Sequence, residues 1–376
     1  MSPGPVGTPV GGTAQSKRRD SLRAFKRFGR YALMRGFALL LTVAIGVYIS
    51  IWIANMGGYV DNIRIAEIRE SVGITYRGNP LYRDMTPSEK QELMERDVER
   101  EIARLGLDQP FLKRSFSYLA NAVTLSLGRA ERMSSDTGSK DVKDIILERL
   151  PATLMLFGAA QILVFFLGVL FALFLSRRYG TFLDRISVAL APTSAAPPWF
   201  YGIFLILIFA SVLQVLPYGG MLDAPVPATA FGRFVSVLKH MVLPLLAWLA
   251  STLAIGIYTW RTFFLIHSSE DYVELAKAKG LTSRVVERRY VLRPALPTVI
   301  TAFALTLIYA WQGAIITETV FTWPGLGRML YSAIGLFETP VIIGSVVIFA
   351  YLLAISVFLL DIIYALIDPR VKLGGG

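Results

Sequence analysis

The chain has 376 residues, 54% of them hydrophobic and 17% charged, with a net charge of +11. It holds no cysteine and two histidines, His240 and His267, which excludes disulfide frameworks, thiolate metal sites, cysteine nucleophiles and a multi-histidine metal centre within one chain. The apolar residues come in blocks, as membrane spans do, and the positive charge reads as cytoplasmic loops beside anionic lipid rather than as a nucleic-acid surface.

Taken in chain order, residues 1–32 are expected to be a disordered, basic tail: the first sixteen are rich in Gly, Pro and Thr, and the stretch 17–36 carries eight Lys/Arg against one Asp. Residues 33–55 form the first apolar span. The sequence "IANMGGYV" at its end is a poor cleavage site, so the span reads as an uncleaved anchor with its N-terminus inside, and Asn55 at its end as structural. Residues 56–151 read as a helical domain outside the membrane, with 15 Lys/Arg against 16 Asp/Glu. One helix there carries its own punctuation: Thr86 as N-cap, Pro87 at the first position, Glu89 closing a capping box and Gly106 at the stop, with Met94, Val98, Ile102 and Leu105 as its apolar stripe. "PFLKRSFSYLANAVTLSLG" and "SKDVKDIILERLP" are expected to be two further amphipathic helices, and the domain to be a lid or packing unit without chemistry of its own.

Five more apolar segments follow, at about 152–175, 187–213, 241–264, 298–320 and 341–364, so that 152–366 is a five-span core and 367–376 a tail. The third span contains Pro192, Pro197 and Pro198 and is expected to be broken, with Thr193 and Ser194 bonding the freed backbone groups. Segments that fall inside, with both termini cytoplasmic, carry 19 Lys/Arg; the two short outside loops carry three. The fold class is therefore an all-α integral membrane protein of six transmembrane helices with a helical extracytoplasmic insertion between spans 1 and 2.

Ionisable groups within spans are functional candidates. Glu318, near the outer end of the fifth span, either faces a pathway or hydrogen-bonds a neighbouring helix. The turn after it, with Trp323, Pro324 and Gly325, sits at the outer interface. Asp361 is expected to act as a cap or to pair with Arg261 or a C-terminal base, and Arg261 to reach for the inner interface. Trp199, Trp248 and Trp260 read as belt or packing residues, and neither histidine has a catalytic partner nearby.

The cytoplasmic loop 268–297 is the most specific stretch. Residues 270–279 suit a helix, Gly280 ends it in the left-handed conformation, and Thr282 or Ser283 caps a second helix over about 284–292, which Pro294 and Pro297 end. Val285, Val286 and Leu292 face one way; Arg284, Arg288 and Arg289 mostly another. A helix–glycine–helix element of this kind either sits in a groove of a partner or rests on anionic lipid. The text "EDYVELAKAKGLTSRVVERRYVLRPALPTVIT" resembles the EAA-type loop of ABC importer permeases, in the dipeptide/oligopeptide version. Asp271, Tyr272, Ala276, Ala278, Lys279, Gly280, Leu281, Leu292, Arg293, Ala295, Pro297 and Ile300 fall on its pattern. Leu275 stands where the broader signature has alanine, and Tyr290 and Val291 where the family often has histidine. "LPYGGM", "HMVLPLLAW", "TETVFTWPGLGRMLYSAI" and "DIIYALIDPRVK" are similar to further landmarks of that family, so the resemblance covers about residues 33–372.

The resemblance implies a six-helix permease of the type I ABC importer kind, paired with a second permease. Two cytoplasmic ATPase subunits would grip the coupling loops, and an extracytoplasmic binding protein would deliver peptide. It implies an ATPase-coupling set of Asp271, Tyr272, Glu274, Ala276, Ala278, Lys279, Gly280, Leu281 and Arg293, with Glu274, Ala276 and Gly280 at the contact, and a translocation-pathway set of Glu318, Trp323, Pro324 and Gly325. The residues agree in one respect: there is no G-x-x-x-x-G-K-[ST] phosphate loop, so ATP and Mg²⁺ are expected on partner subunits and no cofactor on this chain. A membrane-embedded enzyme would need a nucleophile–base or metal pair, and no H-E-x-x-H, paired intramembrane Asp or G-x-S-x-G occurs. A stand-alone secondary transporter would leave inverted repeats and several buried charges. Within the importer reading, oligosaccharides, glutathione and nickel complexes stay open as cargo beside di- and oligopeptides.

Overall fold

A computed structural model describes residues 14–54, 58–79, 82, 85–308 and 315–367. The first thirteen residues of the expected tail, Asn55 and the C-terminal tail from 368 onward lie outside them. Among the described residues the secondary structure is helical apart from turns and one isolated β-bridge, Arg129 to Asp141. The chain divides into two compact units, residues 1–123 with 353–376, and residues 124–352.

In the first unit, α1 runs Ala14–Ala54 as one helix, so residues 14–32 are helical where disorder was expected. Leu, Ala, Lys and Arg dominate that stretch and are good helix formers; low hydrophobicity alone does not stop a helix that continues into a span. Leu33, Phe37, Leu40, Ile45 and Ile49 are exposed on it, as a lipid-facing span requires. Helix α2, Tyr59–Gly78, pairs with α3, Pro87–Arg104. The Tyr76 hydroxyl donates to Asp97 at 2.6 Å, an arrangement that pushes the phenol up to about 12 because its neighbour is a carboxylate. Thr86 and Glu89 form the expected capping box of α3, and Val98 is the buried member of its stripe while Leu105 is exposed. Helix α4, Phe111–Val123, packs along α1 through Tyr48 on Phe116 and Trp52 on Phe111, and its Arg114 makes a two-pronged pair with Asp61 at 2.9 and 2.5 Å. Asp361, in the closing stretch of the chain, pairs with Arg35 rather than with Arg261.

The second unit begins at Thr124. Residues 124–151, expected in the outside domain, thus belong with the span core. Helix α5, Val142–Ser176, runs unbroken through Pro151, joining the expected amphipathic helix to the second span. Val142, Ile145 and Ile146 are buried against Leu326, Ala333 and Val341, and this packing holds the leading turns in line with the rest. Next come α6 (Phe182–Ala189), a 3₁₀ turn (Ala191–Ala195) and α7 (Pro198–Leu205), which widens into a π segment, Ile206–Val212. The axis bends by 96° between the two halves, the expected break of the third span. Thr193 Oγ1 donates to Leu190 O, as expected of it. The Ser194 hydroxyl, expected to act likewise, has no partner among the described residues. Tyr201 and Ser251 instead donate to the freed carbonyls of Thr193 and Ala196.

Helix α8, Ala230–Ser268, is the long neighbour of α5 and α7. After it come α9 (Asp271–Ala278), α10 (Ser283–Val285), a π segment (Val286–Leu292), α11 (Arg293–Ile308), α12 (Ile315–Val320), α13 (Leu326–Gly335) and α14 (Thr339–Ile367). Among the described residues, four helical stretches are long and apolar enough to cross a membrane: Phe28–Ile53, Val142–Ser176, Ala230–Ser268 and Thr339–Ile363. The bent pair makes a fifth. The expected fifth span, 298–320, is divided between α11 and α12 by residues 309–314, which lie outside the described set.

Candidate functional site

The loop 268–297 folds as a clip on the C-terminal halves of α5 and α8 and the start of α11. Val273 and Ala276, one helical turn apart on α9, are fully buried with Phe165, Ala172 and Phe264; Val286, Val291, Ala295 and Val299 complete that core. α9 stops as expected at Gly280, whose φ of +75° is open to glycine at little cost. The Gly280 N–H donates to Lys277 O at 2.9 Å and the Leu281 N–H to Ala276 O at 3.4 Å, the two bonds of a Schellman stop. Thr282 occupies the cap of the next helix by its backbone alone.

The continuation differs from the expected one. Pro294 and Pro297 do not end the second helix; the chain passes through the π segment straight into α11, with Pro297 inside it. The ring of Pro294 crowds the carbonyl of Tyr290, four residues back, and the backbone widens where that crowding falls. Of the expected inward set, Val286 is buried and Val285 and Leu292 half-buried, while Val291, placed by the widened turn, joins them.

With Val273 and Ala276 turned inward, α9 presents its other side outward. Asp271, Tyr272, Glu274, Ala278, Lys279, Gly280 and Leu281 of the expected coupling set are exposed, as is Arg293. Ala276 is the exception: at 0% exposure it anchors the loop and offers no side-chain surface to a partner. The outward side carries three exposed apolar side chains, Tyr272 (40%), Leu275 (56%) and Leu281 (37%), among carboxylates and ammonium groups. Leu275 is the residue that sequence reasoning set aside as a departure from pattern. Its signal was available: a large apolar residue one position before a buried one on a short helix must face outward.

The turn after α12 is the other expected site. Glu318 is fully buried, and its carboxylate is held on all sides. The Thr153 hydroxyl of α5 donates to Oε1 at 2.9 Å, and the Arg328 N–H donates to Oε2 at 3.0 Å, with the Gly327 N–H beside it. These amides open α13, so the carboxylate sits at that helix's positive end. Trp323, also fully buried, donates Nε1–H to Ala152 O at 2.8 Å. A Cβ on Gly325 would stand 2.5 Å from both Glu318 oxygens and from Thr153 Oγ1, so only glycine fits there. Glu318, Trp323 and Gly325, expected to line a pathway, are therefore closed off within this chain; Pro324 is half-buried. Of the two readings of Glu318, the geometry is that of a latch between α12, α13 and α5.

Two further carboxylates had no role assigned from sequence. Glu338 is buried and accepts the backbone N–H groups of Glu131 (3.1 Å), Met133 (2.9 Å) and Arg132, pinning the 131–133 turn. Asp184 of α6 takes Arg261 in a two-pronged buried pair, so the Arg261 guanidinium is met by a carboxylate of this chain.

Comparison with known proteins covers the loop and the turn after α12. The family described as binding-protein-dependent transport system inner membrane component matches residues 165–373. A di/tripeptide transport system permease protein of Pseudomonas aeruginosa is 32% identical over 72% of this chain and 84% of its own length. The dipeptide transport system permease protein of Escherichia coli K12 is 30% identical over 72% and 84%. An oligopeptide transport system permease protein of Bacillus subtilis is 30% identical over 78% and 90%.

Proposed function

Because the chain belongs to the family of binding-protein-dependent transport system inner membrane components, we propose that it forms half of the translocation pathway of an ABC importer that takes up di- or oligopeptides. It is a multi-pass membrane protein and the permease component of such an importer, not its engine. The other half of the pathway is a second, homologous permease. Two cytoplasmic ATPase subunits bind and hydrolyse ATP with Mg²⁺, and this chain, which has no phosphate loop, holds no cofactor of its own. An extracytoplasmic binding protein delivers the cargo. The reading includes six spans with both termini cytoplasmic, supported by the Lys/Arg bias of the short loops. Peptide as cargo is supported by the names of the relatives; oligosaccharide, glutathione or a nickel complex would use the same architecture.

The observation that carries the coupling role is the outward side of α9. Tyr272, Leu275 and Leu281 are exposed among charges on a helix whose inner face is fully seated. Large apolar groups on a polar cytoplasmic loop mark a protein interface. The test is purification from the native host in mild detergent, with mass spectrometry of the subunits and of any small molecule released on denaturation. Two ATPases, a second permease and a released peptide are the expected result. A released sugar or metal complex would overturn the cargo. The chain alone, under conditions that keep other importers whole, would overturn the importer reading in favour of a stand-alone transporter.

A further inference from the structure

The polar segment between α5 and α7 is fastened at every step from the loop to the bend. Arg177, just past the end of α5, places Nη1 3.1 Å from Glu287 Oε2 on the π segment of the loop. Burial pushes the Glu287 carboxyl up from its ordinary value, and Arg177 opposes that shift as the neighbouring cation. Seven residues further, both oxygens of Asp184 are taken by Arg261 of α8, with Nη2 to Oδ2 at 2.6 Å, and the Gly180 N–H also donates to Oδ2, at 2.9 Å. The Arg261 guanidinium stands 5.2 Å from the Tyr179 ring centre. Beyond α6, Tyr201 Oη donates to Thr193 O at 2.6 Å, which staples the two sides of the 96° bend, and Ser251 Oγ of α8 donates to Ala196 O at 2.8 Å, which ties the bend to that helix.

A buried ion pair is weak evidence for stability, because desolvation offsets its attraction; what it fixes is register. Here the register fixed is that of a short helix lying between the loop and the break in the third span. The Arg177–Glu287 pair at the loop end is open to solvent on its Arg177 side, at 46% exposure, while Glu287 is 15% exposed. We infer that residues 177–189 are a strap that carries displacement of the 268–297 loop to the bend between α6 and α7. Arg177 and Glu287 are its positioning residues at the loop end, and the Asp184–Arg261 pair is its pivot. The inference rests on the reading of the loop as the ATPase-docking element.

The chain has no cysteine, so it can be labelled cleanly. In the complete importer in lipid nanodiscs, spin labels at Arg185→Cys and Phe200→Cys, both exposed positions on either side of the bend, report its angle with and without ATP. The unaltered strap is expected to show an ATP-dependent change in label separation. Glu287→Gln should keep the ATPase subunits bound but abolish that change and, with the importer reconstituted in sealed proteoliposomes, should lower labelled-dipeptide uptake per ATP about threefold or more. The reversed pair, Arg177→Glu with Glu287→Arg, should restore both. A separation that responds to ATP equally in Glu287→Gln overturns the strap, as does a loss that the reversed pair leaves unrepaired. A bend that never responds to ATP, in an importer that hydrolyses it, overturns it too. Absence of bound ATPases from the unaltered complex is a different failure, that of the docking reading itself.

Discussion

The Thr153 hydroxyl stands between two partners that lie on either side of one turn: it donates to Glu318 Oε1 at 2.9 Å and accepts the Leu326 N–H at 2.7 Å. One side chain of α5 thereby satisfies both the end of α12 and the start of α13. Thr153→Val keeps the shape and removes both bonds, leaving a buried acceptor and a buried donor unmet. The cost expected is about 1–3 kcal/mol, read as a lower midpoint of thermal unfolding in detergent, and Thr153→Ser should recover most of it. Gly325→Ala should be worse than Thr153→Val, since the added methyl meets two carboxylate oxygens and the hydroxyl at 2.5 Å. Equal midpoints for Gly325→Ala and the unaltered chain would remove the latch as a structural element.

On α9, neighbouring positions should fail in opposite ways. Ala276 is fully buried among Phe165, Ala172 and Phe264, so Ala276→Leu overpacks the clip and is expected to cost about 1–3 kcal/mol of stability. Leu275 is mostly exposed, so Leu275→Asp should stay within about 0.5 kcal/mol of the unaltered chain while releasing the ATPase subunits on purification. Thermal unfolding and subunit co-purification measured on the same preparations separate the two effects. ATPases retained by Leu275→Asp would count against the docking face.

What the sequence made legible was local chemistry. The Thr86–Glu89 capping box, the glycine stop at Gly280 and the proline-marked break before Pro198 each depend on a few adjacent residues, and each is present. What it hid was decided at a distance. Helix α2 escaped notice because Ile63, Ile65, Ile68, Val72 and Ile74 are β-branched and blur its propensity; its pairing with α3 through Tyr76 and Asp97 is what selects the helix. Pro151 reads as a stop, yet the packing of Ile145 and Ile146 carries α5 through it. The latch was half visible: Glu318 and Trp323 drew attention as unusual residues, but Thr153 and Ala152 lie more than 160 positions away and nothing local pairs them. Separations of 77 and 205 positions likewise hid Asp184 as the partner of Arg261 and Glu338 as the anchor of the 131–133 turn.

Gly280 separates conformational need from space. A Cβ there meets nothing within 4 Å, so any loss on substitution comes from its φ of +75° alone. Gly280→Val is expected to destabilise the stop by about 1–2 kcal/mol, to leave membrane insertion intact and to weaken ATPase attachment. Gly280→Asn should lose less, because asparagine enters the left-handed region more readily. Titrating purified ATPase subunits onto each variant gives the order directly: glycine, then asparagine, then valine. Asparagine and valine binding equally well would mean that the left-handed stop does not govern docking.

The cap of α3 predicts a pH dependence with a definite sign. The Thr86 hydroxyl and then the Thr86 backbone N–H hold the Glu89 carboxylate, which lowers its pKa below the ordinary glutamate value. A depressed folded-state value means that the ionised form is the one the fold prefers. The stabilisation is therefore fully present above the ordinary value of about 4.3 and is lost as pH falls through the lower folded value. Hydrogen exchange at the first-turn amides of α3, compared at each pH between the unaltered chain and Thr86→Ala so that intrinsic rates cancel, should show strong extra protection at pH 6. That difference should shrink steadily below about pH 4. A protection difference that never shrinks, however far the pH falls within the folded range, would show that Glu89 is not ionised in the cap, and that the Thr86 hydroxyl acts there only through the Glu89 backbone N–H.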